Sequence, residues 1–201
     1  MTRIIAGRWG GRRLAVPPRG TRPTTDRVRE AVFSRLDHGD FLRGARVLDL
    51  FAGSGALGLE ALSRGAAHAT LVEADSRAAS VLRANARDLG AGDTVRIAKE
   101  RVRAFLSRDG SPYDIILLDP PYDIARDELA AVLAEATPHL ARGGVMVLEW
   151  SSRAGSAPWP DALKQTASKA YGETAIHYAE PRGDAPHAEL EGTTDGGSVE
   201  A

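Results

Sequence analysis

The 201-residue sequence contains no cysteine. Without a thiol there can be no disulfide, no cysteine-ligated zinc or iron–sulfur site and no thiolate nucleophile. Long hydrophobic runs are also missing, since the longest clear one, residues 115–118, is far below the roughly 20 residues that cross a bilayer. The N-terminus lacks the apolar stretch and cleavage site of a secretory signal. The five histidines show no paired ligand spacing, so we expect no metal site. These absences predict a cytoplasmic protein.

Charge is nearly balanced overall but unevenly distributed along the chain. The formal net charge is −1, yet residues 1–30 carry +6, because eight arginines stand against two acids, and residues 180–201 carry −5. A basic head on a near-neutral body indicates that a polyanion meets this end of the chain. A solvated arm is the alternative that charge alone leaves open. We therefore predict three segments: a basic extension over residues 1–40, a domain over residues 41–180, and an acidic tail without regular structure over residues 181–201.

Short β-rich runs alternate with helical patterns between residues 46 and 150. The runs are nearly continuous in apolar residues, which is typical of strands buried on both faces of a parallel sheet. Strands are predicted at residues 46–50, 69–72, 94–98, 114–118 and 145–150. Helices are predicted at residues 56–63, from an N-cap at Ser76 to a stop at Gly90, at 102–106 and at 127–136. The alternation predicts a doubly wound α/β sheet with right-handed crossovers.

Two hairpins are predicted outside this central region. Near the C-terminus, residues 167–171 and 174–178 flank a Gly-Glu turn and predict an antiparallel pair at the edge of the sheet. Near the N-terminus, residues 3–8 and 12–16 bracket a Gly-Gly pair and predict a basic hairpin. A helix from about Thr25 to Leu36 follows, with one apolar stripe and a threonine or aspartate cap.

The first predicted strand of the sheet runs into a glycine-rich loop. Gly53, Gly55 and Gly58 spell G-x-G-x-x-G at a strand-to-helix turn, and Glu73 stands 20 residues after Gly53. In such a unit the glycines let backbone approach a ligand, and the acid accepts hydrogen bonds from ribose hydroxyls. A dinucleotide, S-adenosylmethionine or an ordinary tight turn would each be compatible with the motif alone.

Asp49 favours one of these ligands. A carboxylate just before the loop would repel a pyrophosphate, whereas S-adenosylmethionine has no phosphate and presents an ammonium and a sulfonium. The carboxylate of its methionine part suits a helix N-terminus. The alternative for Asp49 is a turn or cap residue. A kinase-type loop is excluded, because Leu59 and Glu60 follow Gly58 where that motif needs Lys and Ser or Thr.

The fourth predicted strand ends in Asp119-Pro120-Pro121-Tyr122. Ligands of open parallel sheets collect beyond the carboxyl ends of the strands, so this tetrapeptide should face the glycine loop. The Asp119 carboxylate and the Pro120 carbonyl can accept the two hydrogens of an exocyclic amine on a nucleobase, while Tyr122 stacks on the base. Asp119 can also accept the proton that methyl transfer releases. An ordinary strand-ending turn is the alternative.

The glycine loop, Glu73 and D-P-P-Y, in this order, resemble the amino-methyltransferases that use S-adenosylmethionine. The head narrows the resemblance: residues 3–7, 11–14 and above all 22–30 (R-P-T-T-D-R-V-R-E), followed by Phe33, are similar to the RsmD family. The similarity runs from residue 1 to about residue 178. It implies a Rossmann-like class I methyltransferase fold of the α/β class, with a seven-stranded, mainly parallel sheet, an antiparallel C-terminal hairpin and a small basic N-terminal extension.

The resemblance also implies an activity, a cofactor and partners. The enzyme would transfer a methyl group from S-adenosyl-L-methionine to N2 of one guanine, guanine 966, in 16S rRNA. Because a head of roughly 30 residues leaves no room for a target-reading domain, we expect the substrate to be the small ribosomal subunit or its assembly intermediate. We expect the enzyme to be a monomer. The rival functions are an adenine-N6 DNA methyltransferase, a nicotinamide-dependent oxidoreductase and a non-catalytic RNA-binding module.

Three sets of residues are expected to form the site. Catalysis is assigned to Asp119, Pro120, Pro121 and Tyr122. Cofactor binding is assigned to Asp49, Phe51, Ala52, Gly53, Ser54, Gly55, Gly58, Glu73, Ala74, Glu100 and Arg101. RNA binding is assigned to Arg3, Arg12, Arg13, Arg22, Thr24, Thr25, Arg27 and Arg29. The stretch around Glu100 departs from the family pattern, and Glu100 is expected to accept the adenine amine of the cofactor.

Overall fold

A mainly parallel seven-stranded sheet forms the centre of the protein. The structure, a computed structural model, describes residues 2–17 and 25–183. The helices are α1 (Asp26–His38), α2 (Ala56–Ser63), α3 (Ser76–Asp88), α4 (Val102–Leu106) and α5 (Arg126–Ala136). The strands are β1 (Thr2–Arg3), β2 (Arg13–Leu14), β3 (Arg46–Leu50), β4 (His68–Val72), β5 (Val95–Ala98), β6 (Tyr113–Leu118), β7 (Leu140–Ser151), β8 (Leu163–Tyr171) and β9 (Thr174–Pro181).

The strand order places a crevice between β3 and β6. The order is β5-β4-β3-β6-β7-β9-β8, with the first five strands parallel and β9 antiparallel to both of its neighbours. The chain adds β4 and β5 on one side of β3 and then crosses to the other side to form β6, so the order of the strands reverses at β3. Ligands of doubly wound sheets bind at this switch point, outside the carboxyl ends of the strands. The predicted α/β sheet and its antiparallel C-terminal hairpin are confirmed.

The N-terminal hairpin and the start of α3 differ from the prediction. The N-terminal hairpin pairs only residues 2–3 with residues 13–14, so the predicted strands at 3–8 and 12–16 are too long. The segment between them turns tightly at Gly7 and Gly11, whose φ angles are 78° and 81°. Ser76 was expected to cap α3, which is wrong. The cap is Asp75, whose Oδ1 accepts hydrogen bonds from the backbone nitrogens of Arg77 and Ala78.

Two apolar layers cover the two faces of the sheet, and the head belongs to one of them. Helices α1, α2 and α3 pack on one face, and α4 and α5 pack on the other. Ile4, Leu14 and Phe33 are 0%, 3% and 0% exposed and lie in the first layer. Complete burial of such a side chain stabilises the fold by roughly 1.5–3 kcal/mol. Residues 2–17 and α1 therefore share a core with the sheet.

A buried carboxylate fastens the head to α2. Glu60 is 0% exposed, and its two oxygens accept hydrogen bonds from the backbone nitrogens of Ile5 and Ala6 at 2.7 and 3.0 Å. Arg64 supplies the compensating charge through Nε, 2.7 Å from Glu60 Oε1. The nearby Ser63 hydroxyl accepts from the Trp9 backbone nitrogen. These contacts hold the irregular segment between β1 and β2 in one conformation.

Within residues 2–17 and 25–183, no helix has the length and apolar character that a membrane span requires.

Candidate active site and acceptor cleft

The glycine loop between β3 and α2 has a backbone that few side chains would permit. Gly53 and Gly55 adopt φ angles of 55° and 83°, in the left-handed region that favours glycine. A Cβ at Gly55 would lie 2.2 Å from Leu82 Cδ1, whereas a Cβ at Gly53 would meet nothing within 4 Å. Gly55 is thus needed for close packing against α3. Gly53 leaves open space in which a ligand can approach the backbone.

Asp49 lies beneath this loop and is 1% exposed. Its Oδ2 accepts a hydrogen bond from the Gly58 backbone nitrogen at 2.9 Å, so the carboxylate helps to fix the first turn of α2. Its Oδ1 is buried without a hydrogen-bond partner among the described residues. Burial raises the pKa of Asp49 to about 8 despite the Gly58 bond, and the charges of Asp119 and Glu73 add to the rise. The negative charges of Glu73 and Asp119 beside this buried acid make the position suited to a cation and hostile to a phosphate.

Glu73, which directly follows β4, joins the glycine loop to the start of α3, and these two segments are called the cofactor side because the sequence analysis assigns them to the cofactor. Its Oε2 accepts from the Gly53 backbone nitrogen at 2.8 Å, and its Oε1 accepts from the Asp75 backbone nitrogen at 2.7 Å. A carboxylate offers about four lone-pair sites. Capacity therefore remains for the hydroxyls of a ribose lying between Gly53 and the start of α3.

The remaining residues assigned to the cofactor lie around these anchors. Phe51 adopts an unusual φ of 66° for a non-glycine residue, and the Ala52 backbone nitrogen donates to the Val72 carbonyl. Ala74 is exposed after β4. Glu100 bonds the Arg108 guanidinium through both carboxylate oxygens, and this contact lowers the pKa of Glu100. Arg101 stands exposed at the start of α4. A contact of Glu100 with the cofactor adenine stays a prediction.

A polar bridge connects the glycine loop to the head. Asn85 on α3 is 3% exposed. Its Nδ2 donates to the carbonyls of Ser54 and Ala15, and its Oδ1 accepts from the Ala15 backbone nitrogen, all at 2.9 Å. One side chain therefore holds both the middle of the glycine loop and the chain that leaves β2.

D-P-P-Y lines a large open cleft that lies beside the glycine loop. The cleft has a volume of about 1090 Å³, and it is lined by residues 119–123, by residues 149–151 at the end of β7, by residues 169–174 at the β8–β9 turn, and by Thr25, Arg27, Val28 and Ala31 at the start of α1. Its volume exceeds the upper end of the range for drug-sized ligands. The glycine loop and Glu73 do not line it. Asp119 belongs to the cleft and also acts on the pKa of Asp49, so the cofactor side and the cleft meet at this residue.

The two prolines and the tyrosine give the cleft its character. Pro120 and Pro121 carry no backbone N–H and restrict the backbone, so this corner presents oxygen acceptors rather than donors. Tyr122 is 80% exposed. An exposed aromatic ring at the rim of an acceptor-rich cleft is a suitable surface on which a nucleobase can stack.

Sequence reasoning missed part of this cleft. Lys169 and Tyr171 line it from the C-terminal hairpin, with Lys169 Nζ 5.5 Å from the centre of the Tyr171 ring. Glu149 and Trp150 line it from the end of β7. The available signal was an acidic residue near the carboxyl end of a strand, where Glu149 follows the four apolar residues 145–148.

Thr25 and Arg27 are the RNA-assigned residues that the structure brings to the cleft. Thr25 also caps α1, since its Oγ1 accepts from the Val28 backbone nitrogen. Arg13 is exposed on β2. Arg22 and Thr24 lie outside the described residues.

The other predicted RNA contacts make bonds within the protein. Arg3 pairs with Asp26 at 3.2 Å, and Arg12 Nη2 donates to the Asp88 carbonyl at 2.7 Å. Arg29 as an RNA contact is wrong, because its side chain is 0% exposed. Its Nη2 donates to the Arg3 carbonyl and to Asp26 Oδ1, both at 2.7 Å. The helical register of α1 turns Arg29 inward, where it joins β1 to the start of the helix.

Asp49 predicts a pH dependence of stability. An acid whose pKa is raised in the folded state keeps its proton there while the unfolded chain loses it, so its contribution to stability is lost as pH rises from about 4 towards 8. We expect Asp49→Asn to melt at a higher temperature than the natural protein near pH 8. The difference should shrink as the pH falls towards 5, as thermal unfolding monitored by circular dichroism would show. An exposed counterpart, Asp123→Asn, should give no such trend, and a pH-independent difference for Asp49→Asn would contradict the assignment.

Comparison with known proteins agrees with this geometry. Residues 2–180 match the family model described as Conserved hypothetical protein 95. The chain is 50% identical over 121 residues to the Escherichia coli "Ribosomal RNA small subunit methyltransferase D", an alignment that spans 60% of each chain. It is 34% identical over 185 residues to "Putative rRNA methyltransferase YlbH" of Bacillus subtilis, covering 90% of this chain and all of that one.

A solved structure extends the likeness to three dimensions. The Escherichia coli structure described as "Putative methyltransferase yhhF" superposes with a TM-score of 0.80 at 37% identity, covering 89% of this chain and 97% of that chain. The Rossmann-like fold of class I methyltransferases is thereby confirmed. Among residues 2–17 and 25–183, no cluster of three or more histidine or acidic side chains is arranged to hold a metal ion. On its sequence match and on its fold, this chain belongs to the RsmD family.

Proposed function

We propose that this protein transfers the methyl group of S-adenosyl-L-methionine to the exocyclic N2 of one guanine, guanine 966, in 16S rRNA of the small ribosomal subunit. The observation that carries the proposal is the position of Asp119. This carboxylate is close enough to Asp49 to raise its pKa and also lines the cleft that ends at the exposed ring of Tyr122. It therefore stands between a site suited to a cationic nucleoside and a cleft suited to a nucleobase.

The residues of the cofactor side fit S-adenosylmethionine. Asp49 Oδ1, which is buried without a partner among the described residues, suits the positive charges of this cofactor. The Glu73 carboxylate suits its ribose hydroxyls. The open space at Gly53 lets the cofactor approach the protein backbone. A dinucleotide fits less well, since its pyrophosphate would come close to the negative charges of Glu73 and Asp119. When bound, the cofactor supplies an electrophilic methyl carbon on a sulfonium.

The residues of the cleft would prepare the nitrogen that receives this methyl group. The lone pair of an exocyclic amine is delocalised into the base, which makes it a poor nucleophile. The Asp119 carboxylate and the Pro120 carbonyl accept the two N–H hydrogens, favour a pyramidal nitrogen and fix the direction of its lone pair. Stacking on Tyr122 holds the base in line. As the new N–C bond forms, the amine loses one proton, and Asp119 is the acceptor within reach.

The nucleic-acid substrate is proposed from charge and size together with the relatives. Residues 1–30 carry +6, and Arg27 reaches the cleft itself. Both features suit a phosphate backbone. The head supplies a small recognition surface, so an assembled or partly assembled subunit, whose shape is fixed, suits it better than naked RNA. Action on ribosomal subunits would place the protein in the cytoplasm.

Methyl labelling tests the proposal directly. The protein would be incubated with methyl-labelled S-adenosylmethionine and with unmethylated small subunits, deproteinised 16S rRNA or duplex DNA, and the labelled base would be mapped. We expect label on N2 of one guanine, with subunits as the best substrate. Label on DNA adenine, or binding of a nicotinamide dinucleotide without S-adenosylmethionine binding, would refute the proposal. Equal, site-specific labelling of naked RNA would refute the assembled substrate alone.

A further inference from the structure

A second carboxylate stands next to Asp119 at the floor of the cleft. Strands β6 and β7 are parallel and pair Leu118 with Leu148, so the next residues stand side by side, with Asp119 directly after β6 and Glu149 still within β7. Both line the cleft. Side chains alternate along a strand, and Leu117 and Val147, two residues before this pair, lie in the core layer under α1. Asp119 and Glu149 therefore face the same side of the sheet.

The surroundings of Glu149 suit a strong hydrogen bond. Glu149 is half-buried, and its core side borders a small apolar pocket lined by Val32, Leu57 and Ile176. A charge-assisted hydrogen bond is stronger in such a weakly polar environment than in water. The cationic side chains of the cleft, Arg27 and Lys169, lie on its α1 and hairpin walls. The two carboxylates at the floor can therefore accept hydrogen bonds from the N–H groups of a base, and the cationic side chains of the walls can bind phosphates.

We propose that Glu149 is the residue that selects guanine, by accepting the hydrogen of N1 while Asp119 and the Pro120 carbonyl hold N2. This assignment rests on the proposed function. Guanine presents N1–H and N2–H₂ side by side on its Watson–Crick edge, so two adjacent carboxylates match two adjacent donors. Adenine places a bare lone pair at N1, which would point at the Glu149 carboxylate. Specificity then arises from repulsion of the wrong base as much as from attraction to the right one.

The analogue 2-aminopurine separates recognition of N1 from reaction at N2. It keeps the exocyclic amine that is methylated, but its N1 carries no hydrogen. Small subunits would be reconstituted with guanine or 2-aminopurine at the mapped position, and kcat/KM would be measured for each. We expect the natural protein to prefer guanine by about 10- to 100-fold, the value of one hydrogen bond to a charged group. In Glu149→Gln the preference should fall to a few-fold or reverse, because a glutamine amide can donate to the bare N1.

Controls keep this test separate from the proposed function. Glu128→Gln removes a charge from an exposed position of α5 outside the cleft, and it should keep the guanine preference of the natural protein. Absence of a guanine preference in the natural protein would overturn the role of Glu149 without any variant. An equal loss on both bases in Glu149→Gln would do the same. Label on an atom other than guanine N2 would instead refute the proposed function.

Discussion

Replacing Asp119 with alanine should abolish turnover while leaving cofactor binding largely intact. The carboxylate is expected to hold one hydrogen of the target amine and to take its proton, and each of these contributions appears only during the reaction. General-base catalysis alone is worth about 10²- to 10⁴-fold, so we expect kcat to fall by at least that factor. Single-turnover methyl transfer to small subunits would measure the rate, and calorimetric titration with S-adenosylmethionine would measure binding.

A matched substitution shows whether the loss is specific to Asp119. Asp93 is an exposed aspartate in the turn before β5, far along the chain from the cleft residues. Asp93→Ala should therefore retain both turnover and binding. Turnover by Asp119→Ala close to that of Asp93→Ala would remove Asp119 from the chemistry. A phenotype unchanged by Asp119→Ala in cells would favour the non-catalytic RNA-binding module.

Replacing Glu73 with alanine should weaken cofactor binding and leave kcat at saturating cofactor nearly unchanged. The variant loses the two backbone hydrogen bonds that fix Gly53 and the start of α3, together with the acceptor that we propose for the ribose hydroxyls. We expect the dissociation constant for S-adenosylmethionine to rise by about 100-fold. The ribose hydroxyls would lose two hydrogen bonds to a charged group, each worth about 1.5–3 kcal/mol, and water would replace them in part. At saturating cofactor, kcat should remain near that of the natural protein. Equilibrium binding and rate measurements at several cofactor concentrations would separate the two.

Asp75→Ala distinguishes lost binding from lost folding. Asp75 caps α3 immediately after the Glu73 segment, so its removal should cost about 1 kcal/mol of unfolding free energy with little effect on cofactor affinity. Glu73→Ala and Asp75→Ala would then differ in binding although both are destabilised. Equal loss of turnover and of binding in Glu73→Ala and Asp119→Ala would contradict the division of roles between these two acids.

The sheet was predictable because its strands are buried on both faces. Segments such as residues 46–50 and 114–118 are nearly continuous apolar runs, and the glycine loop and D-P-P-Y each follow one of them. The structure agrees with these strands to within one or two residues at most ends. The hairpin between β1 and β2 was overestimated because its middle is shaped by Glu60 and Ser63, which lie more than 50 residues away.

Site residues that belong to a local motif, such as the glycine loop and D-P-P-Y, could be predicted from the sequence. Residues whose position depends on packing between distant segments were harder to predict. Arg29 was misjudged because local charge suggested a solvent-facing arginine, whereas the turn of α1 places it inside. Asn85 lies on the buried side of α3, three residues after Leu82, and only its distant partners Ser54 and Ala15 explain why a polar side chain is tolerated there. Glu149 needed the register between β6 and β7, which no local pattern reveals.

The fastening of residues 2–17 to α2 bears on how this protein can be divided. A chain beginning at residue 41 would strip Glu60 of its two backbone donors and uncover the apolar surface now filled by Ile4, Leu14 and Phe33. The loss of two hydrogen bonds to a buried carboxylate and the exposure of an apolar surface are both strongly unfavourable. We therefore expect residues 2–17, α1 and the sheet to unfold as one cooperative unit, and a chain without residues 1–40 to be unstable on its own.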